Sequence, residues 1–145
     1  MTLKVVLEKG AKMPTRAHKE DAGMDLYSKS GYGRFPVEIP PRGSQIFNTG
    51  VHIEIPKGYV GMVKSKSGLN IKGGITCTGV IDAGYTGAIQ VRLQNNSLDK
   101  AHIVCPGDKI AQLVLLPIIT PDLIQVEQLA KTDRGDNGFG STGVN

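Results

Sequence analysis

Short runs of alternating apolar and polar side chains, separated by clusters of glycine and proline, constrain this chain more than any other feature. Val51, Ile53 and Ile55 alternate with His52 and Glu54, and Ile89, Val91 and Leu93 alternate with Gln90, Arg92 and Gln94. Leu3, Val5 and Leu7 face one way while Lys4 and Glu8 face the other. Successive side chains of a strand point to opposite faces, so a period of two predicts strands with one buried face. Residues 60–64, 75–80, 103–104, 109–116 and 123–126 also read as strands, and only 67–72 has room for a brief helical turn. Pro40-Pro41-Arg42-Gly43, Pro56-Lys57-Gly58, Gly73-Gly74 and Cys105-Pro106-Gly107-Asp108 punctuate them. Eight to eleven short strands at this spacing predict an all-β sandwich, jelly roll or barrel.

The length of 145 residues suits one domain, and 39% hydrophobic with 21% charged residues is ordinary for a soluble protein. With 19 Gly and 8 Pro, long helices are disfavoured. The longest apolar run, 110–119, is broken by Gln112 and Pro117 and is too short to span a bilayer. No membrane association is therefore expected, and with no charged-then-apolar leader at the start of the chain nothing suggests export. Cys77 and Cys105 allow one pairing at most, and two reduced thiols in a cytoplasmic protein is the default. The net charge of +4 comes from scattered Lys and Arg, with no basic stripe or interleaved aromatics, so no direct nucleic-acid binding is expected.

Neither phosphate-binding glycine fingerprint occurs, and His18, His52, His102 and the two cysteines lack metal-ligand spacing. His52 falls on the polar face of its strand and reads as an exposed structural residue. The candidates that remain sit in glycine-rich turns. Asp82 follows Gly79-Val80-Ile81 and precedes Ala83-Gly84-Tyr85-Thr86-Gly87, which reads as a hairpin holding a carboxylate beside an apolar wall. That carboxylate suits a general base toward water or a turn residue bonding its own backbone. Lys64-Ser65-Lys66-Ser67-Gly68 offers cations, hydroxyls and free N–H groups to a polyphosphate, or is an ordinary polar loop. Gly107-Asp108-Lys109 reads as a turn entering a central strand, on which Gln112 interrupts an apolar face and requires a partner.

Composition changes near residue 131. Residues 1–130 read as the β core. Residues 131–145, rich in glycine and with Phe139 as the lone aromatic, cannot bury enough surface to order themselves. They read as a frayed tail or as a flexible arm that orders on a ligand, with Phe139 laid on a planar group and Arg134 reaching a phosphate.

Taken in order, these segments resemble the trimeric dUTPase family. Its five motifs are recognisable in Ala22-Gly23-Met24-Asp25-Leu26-Tyr27-Ser28, Lys66-Ser67-Gly68-Leu69, the stretch from Gly79 through Asp82 to Gly87, Gly107-Asp108-Lys109-Ile110-Ala111-Gln112-Leu113, and the stretch from Arg134 to Gly143. The resemblance implies a jelly-roll-like homotrimer, with each active site built from three chains and closed by the C-terminal arm. It implies hydrolysis of dUTP to dUMP and pyrophosphate, which keeps uracil out of DNA and supplies dUMP for thymidylate synthesis. Asp82 would activate the water that attacks the α-phosphorus. Mg²⁺ would ride on the triphosphate, with Asp25 reaching it through water. Lys66, Ser67, Gly68, Gln112 and Arg134 would hold phosphates. Backbone groups around Thr76, Gly79, Val80 and Gln90 would read uracil, Tyr85 would lie under the deoxyribose, and Phe139, with Gly140 and Ser141, would cover the base.

Two positions depart from the family pattern: Lys66 stands where Arg is usual, and Thr76 where Asn is common. Lysine keeps the charge but loses the planar bidentate fork. The related dCTP deaminases carry a Glu ten residues after the motif Asp, where this chain has Arg92, and usually Phe in place of Tyr85. A third reading is a factor that binds a regulatory protein partner, with hydrolysis secondary.

Overall fold

The computed structural model describes residues 1–29 and 36–136. Phe139, Gly140 and Ser141 of the predicted arm lie outside the described residues. Among the described residues are eleven strands and one short helix: β1 (Val5–Leu7), β2 (Gly23–Tyr27), β3 (Val37–Ile39), β4 (Ser44–Asn48), β5 (Val51–Ile53), β6 (Tyr59–Lys64), α1 (Ser67–Gly73), β7 (Ile75–Thr76), β8 (Thr78–Ile81), β9 (Gln90–Asn95), β10 (His102–Val104) and β11 (Lys109–Pro117). The fold is all-β. The strands form a four-stranded sheet in the order β2-β11-β6-β8, a three-stranded sheet β4-β9-β7, and the pairs β1-β5 and β3-β10.

At 51–55 and 89–93 the alternating pattern produces the core as the spacing predicts, whereas in the run 3–7 Leu3 and Val5 are only partly buried and Leu7 is exposed. Ile89, Val91 and Leu93 are each 1% exposed, and Val51, Ile53 and Ile55 are equally enclosed. They pack with Leu26, Ile39, Val63, Ile75, Ile110 and Leu113 into one apolar cluster, each such side chain contributing on the order of 1.5–3 kcal/mol by leaving water. The short helix falls where the brief turn was predicted. It ends at Gly74, whose φ of 64° is a left-handed conformation that glycine adopts without cost.

The structure corrects three strand expectations. Residues 123–126 form no strand; Leu123 and Ile124 stay 94% and 83% exposed, because no strand among the described residues pairs with them. The run 75–80 is divided at Cys77, where the Ser65 hydroxyl donates to the Cys77 carbonyl at 3.0 Å and accepts its N–H at 2.8 Å. One side chain thus satisfies the backbone of the residue that leaves the ladder, so β7 pairs with β9 and β8 crosses to β6. Third, β8 and β9 are not the arms of a hairpin: β8 pairs with β6, and β9 with β4 and β7. Residues 82–89 are therefore a connection between two sheets.

Asn95 is the polar hub of this arrangement. Fully enclosed, its amide donates to the carbonyls of Ile39, Pro40 and Lys100 at 3.0, 3.2 and 2.8 Å, and its oxygen accepts the Ser97 N–H at 3.0 Å. Asn95→Leu leaves those buried groups unpaired and should cost roughly 3 kcal/mol of stability, read as a lower urea midpoint at unchanged m-value.

Candidate functional site

Three of the segments singled out in the sequence meet where β11 runs between β2 and β6. In register, Gln112 lies opposite Asp25 on one side and Lys64 on the other. The Gln112 amide donates to the Ser65 carbonyl at 2.9 Å, which supplies the partner that a polar residue in an apolar strand requires. Gly23 makes room for it: a Cβ there would come within 2.2 Å of the Gln112 Oε1. The resulting open cleft of about 340 Å³ is lined by Ala17, Asp21, Ala22, Gly23, Asp25, Lys66, Lys109 and Gln112.

Asp25 is the electrostatic centre of the cleft. It is 8% exposed, and its two carboxylate oxygens are taken by the ammonium groups of Lys66 and Lys109, the latter at 2.7 Å. Burial alone would push its proton affinity up, but the hydrogen bonds and charges of Lys109 and Lys66 outweigh it and hold the carboxyl below its ordinary range. The same bond to Asp25 pushes Lys109 up. Two ammonium groups thus meet at one carboxylate, with Asp21 as the second acidic residue of the lining, and each ammonium group can also take a phosphate oxygen. Ser67 and Gly68 follow Lys66 directly and are exposed at the start of α1.

Lys109 was not among the residues predicted for the site. Its signal was obscured by a break in the strand period: the ladder between β11 and β2 slips between Lys109 and Ala111, so Ile110 and Ala111 are both buried and Lys109 shares a cleft with Gln112. Asp21 was likewise missed, since an acidic residue in a turn carries no pattern of its own; Ser65, read as a hydroxyl of a polyphosphate loop, instead holds the backbone of Cys77.

The second group of candidates lies on the connection 82–89. The Tyr85 N–H donates to the Asp82 carbonyl at 3.2 Å, closing a turn in which Gly84 takes a φ of 93°. The Tyr85 ring folds back over Gly87, where a Cβ would meet its hydroxyl at 2.4 Å, and that hydroxyl donates to the Ala88 carbonyl at 3.1 Å. The ring stays half-exposed, and Asp82, at the start of the same turn, is exposed as well. β8 is the edge strand of its sheet, so alternate backbone groups around Gly79 and Val80 face away from any ladder. Gln90 opens β9 opposite Asn48 and is exposed. The Thr76 hydroxyl is engaged by the Asn96 amide at 2.9 Å.

The two groups do not meet within one chain. Thr78 pairs with Lys64 and Ile81 with Gly61, so Asp82 stands at the far end of β8 from the cleft, about 13 Å along the strand at ~3.3 Å per residue. None of Asp82, Tyr85 or Gln90 lines the cleft. Arg134 sits in a turn closed by Thr132, whose carbonyl and hydroxyl both accept the Gly135 N–H at 3.1 Å.

Among the described residues, no three His, Cys, Asp or Glu side chains come together as a metal cage. One carboxylate flanked by ammonium groups instead suits a hydrated cation carried in on an anionic substrate, since Mg²⁺ keeps most of its waters and prefers phosphate oxygens. Because the Asp25 carboxyl is depressed in the folded state, its contribution to stability is complete above its ordinary value of 3.8 and is lost as pH falls through the lower folded value. Asp25→Asn should cost roughly 1–3 kcal/mol near neutral pH and should flatten the stability curve below pH 4, as followed by urea unfolding at stepped pH.

The comparisons with known proteins agree with this arrangement of motifs. The dUTPase family model matches residues 9–143. A deoxyuridine 5'-triphosphate nucleotidohydrolase of Tropheryma whipplei is 43% identical over 141 residues, covering 95% of this chain and 93% of its own. One of Monkeypox virus is 44% identical over 134 residues, covering 92% and 85%. Among solved structures, the dUTPase of Staphylococcus bacteriophage 80alpha with dUPNHPP superposes with a TM-score of 0.84 at 37% identity, covering 99% of each chain; it is described with phage dUTPases that control transfer of virulence genes. A D95N dUTPase of S. aureus phage phi11, described as coordinating a structural Mg(II) ion, gives a TM-score of 0.79 at 34% identity, covering 90% of this chain and all of its own. The motif order, the fold and a match across nearly the whole chain place this protein in the dUTPase family.

Proposed function

We propose that this chain, a dUTP diphosphatase by family, hydrolyses dUTP to dUMP and pyrophosphate in a composite site shared between chains of a homotrimer. The convergence of Asp25, Lys66, Lys109 and Gln112 on one polar cleft with two ammonium groups carries the reading. That cleft supplies the triphosphate half of a site, while the exposed carboxylate of Asp82 and the flat face of Tyr85 stand at the other end of β8. A second chain presenting its 82–89 connection to this cleft brings the halves together. The exposed apolar residues Ile119, Leu123, Ile124 and Leu129 support such an assembly, since nothing among the described residues of a single chain covers them. A jelly-roll arrangement of the four sheets within each subunit completes the proposal.

In this site Lys66, Lys109, the Gln112 amide, Ser67 and the Gly68 backbone hold phosphate oxygens. Mg²⁺ bound to the triphosphate would supply charge neutralisation, with Asp25 the residue placed to meet its water shell. Asp82 accepts a proton from water as the oxygen forms its bond to the α-phosphorus. The bond from that phosphorus to the bridging oxygen breaks, and pyrophosphate leaves. Outward backbone groups of β8 and the start of β9 form the edge that reads uracil. Cytosine presents the reversed donor pattern and leaves buried groups unpaired, a strong source of discrimination. Tyr85 lies under the sugar and excludes a 2′-hydroxyl. Residues 131–145 act as the closing arm, with Arg134 on the phosphates and Phe139, Gly140 and Ser141 over the base. Cleavage removes dUTP from the pool available to DNA synthesis and supplies dUMP.

Pyrophosphate release is measured from dUTP, dCTP, dTTP and UTP with Mg²⁺, for wild type and Asp82→Asn. Wild type should turn over dUTP alone, chelation of Mg²⁺ should abolish turnover, and Asp82→Asn should lose about 10²–10⁴-fold in kcat with KM little changed. Comparable rates on dUTP and dCTP, or an active Asp82→Asn, would overturn the assignment. The role described for the staphylococcal phage relatives motivates a second reading, a regulatory protein partner, for which binding retained by Asp82→Asn is the distinguishing result.

A further inference from the structure

Outside the cleft, one cluster of titratable groups is built against the reacting loop. His52, on β5, is predicted as an exposed structural residue, yet its ring is held at both nitrogens. Nδ1 lies 2.8 Å from the Thr86 carbonyl and Nε2 lies 3.2 Å from the Glu8 carboxylate. Glu8 is also paired with Lys29. The His52 side chain is 29% exposed and that of Lys29 19%. Gly50, at a φ of 65°, lets these residues close up; a Cβ there would come within 2.9 Å of the Lys29 Cδ and 3.3 Å of the Glu8 Cβ.

The importance of this contact lies in what else holds the loop. Ile89 is fixed by the Val51 carbonyl at 2.9 Å and by the Thr49 hydroxyl at 2.7 Å. From 82 to 88, the bonds from Tyr85 to Asp82 and to Ala88 are internal to the loop. Among the described residues, the His52–Thr86 contact is the one hydrogen bond that ties 82–88 to the rest of the fold. Both partner atoms of the ring are acceptors, a carbonyl oxygen and a carboxylate. A neutral imidazole has a single N–H and can satisfy one of them, whereas the imidazolium donates to both.

We propose that His52 is a positioning residue of the reaction: in its doubly protonated form it clamps Thr86, and with it the loop bearing Asp82 and Tyr85, to β5. The catalytic consequence rests on the role given above to Asp82 and Tyr85; the clamp itself does not. The charged groups around the ring support it. The Thr86 carbonyl and the Glu8 carboxylate raise the proton affinity of His52, while partial burial and Lys29 lower it, and the net direction is upward. Lys4 and Glu54, which line the same surface pocket as His52 and Thr86, neutralise each other at 3.1 Å. Glu8 is shifted down, first by Lys29 and then by His52. A raised histidine is fully charged below its ordinary 6.5 and loses its proton as pH rises through the higher folded value; a lowered carboxylate stays ionised down to below its ordinary 4.5. The clamp is therefore at full strength between these limits and weakens on the alkaline side, where the one remaining N–H is divided between the Thr86 carbonyl and the Glu8 carboxylate.

Hydrogen–deuterium exchange of peptides covering 82–89, corrected for the intrinsic pH dependence, reads the clamp, and the pH profile of dUTP hydrolysis reads its consequence. In wild type, protection of 82–89 should fall as pH rises through the His52 transition. His52→Phe should raise exchange roughly three- to tenfold at acid pH and lower kcat more than it changes KM. His52→Gln, whose neutral amide can donate to the Thr86 carbonyl, should restore part of the protection without the pH dependence. Glu8→Gln should move the wild-type transition to lower pH. Unchanged exchange of 82–89 in His52→Phe, or a transition that Glu8→Gln does not move, overturns the proposal. Asp82→Asn is assayed alongside: full activity there, with His52-dependent exchange intact, overturns the catalytic consequence and leaves the clamp standing.

Discussion

The placement of β11 between β2 and β6 sets the positions of Asp25, Lys109 and Gln112 in the cleft. Both ladders are antiparallel, and in such a pair directly opposed residues lie about 4.5–5.5 Å apart. Gln112 is thus fixed between Asp25 and Lys64 by register, before any side-chain contact is counted. Three segments separated by some forty residues each along the chain acquire one geometry from one strand. A slip of one residue would turn Gln112 into the core and Leu113 toward the cleft, so burial of Leu113 and Ala111 and placement of Gln112 are the same constraint seen from two sides. The bulge near Lys109 is the local exception: it lets a second polar residue of β11 reach Asp25 without moving Ile110 out of the core.

Where the local pattern and the tertiary partner agree, the sequence is readable. The alternation at 51–55 and 89–93 predicts both strand and buried face, because each strand has one face on the core. Residues 23–27 give no such signal: Met24, Asp25 and Leu26 are all buried, since Asp25 turns toward two lysines from distant segments. The division at Cys77 is equally hidden, because it depends on a hydroxyl twelve residues earlier. The apolar 123–126 stretch shows the converse failure, a strand-like composition without a strand, since composition supplies the apolar surface but not the partner that would cover it. For the site, the candidate residues of the recognisable motifs other than Lys109 were legible. Lys109 and His52 were not, because their roles arise from a bulge and from a contact between residues 34 apart.

Asp25 illustrates why a buried charge is tolerated here. Removing a carboxylate from water is costly, and its pairing with two lysines offsets that cost only if both ammonium groups are held in place. Lys66 is held by its position between β6 and α1, and Lys109 by the ladder with Tyr27. Both lysines remain partly exposed, so each can turn from the carboxylate to an incoming phosphate oxygen without being stranded in an apolar environment. A fully enclosed triad would have no such freedom. The cleft therefore combines a fixed anion with adjustable cations, the combination required to accept a polyanion accompanied by a hydrated metal ion.

The separation of the two half-sites places a different demand on the 82–89 connection. In the proposed composite site, a loop acting on a substrate held by another chain gains no rigidity from that substrate until it arrives, and an edge-strand origin gives it none from a ladder. Its shape has to be set from its own subunit. The Tyr85 ring over Gly87 fixes the loop internally, Thr49 and Val51 fix its exit at Ile89, and His52 fixes its middle. Of these, the contact through His52 is the one whose strength depends on a proton, and the proton is held by Glu8, a residue outside both halves of the site. Placing the loop's attachment on a titratable side chain couples its order to pH, which the internal Tyr85 contact and the backbone bonds at Ile89 cannot do.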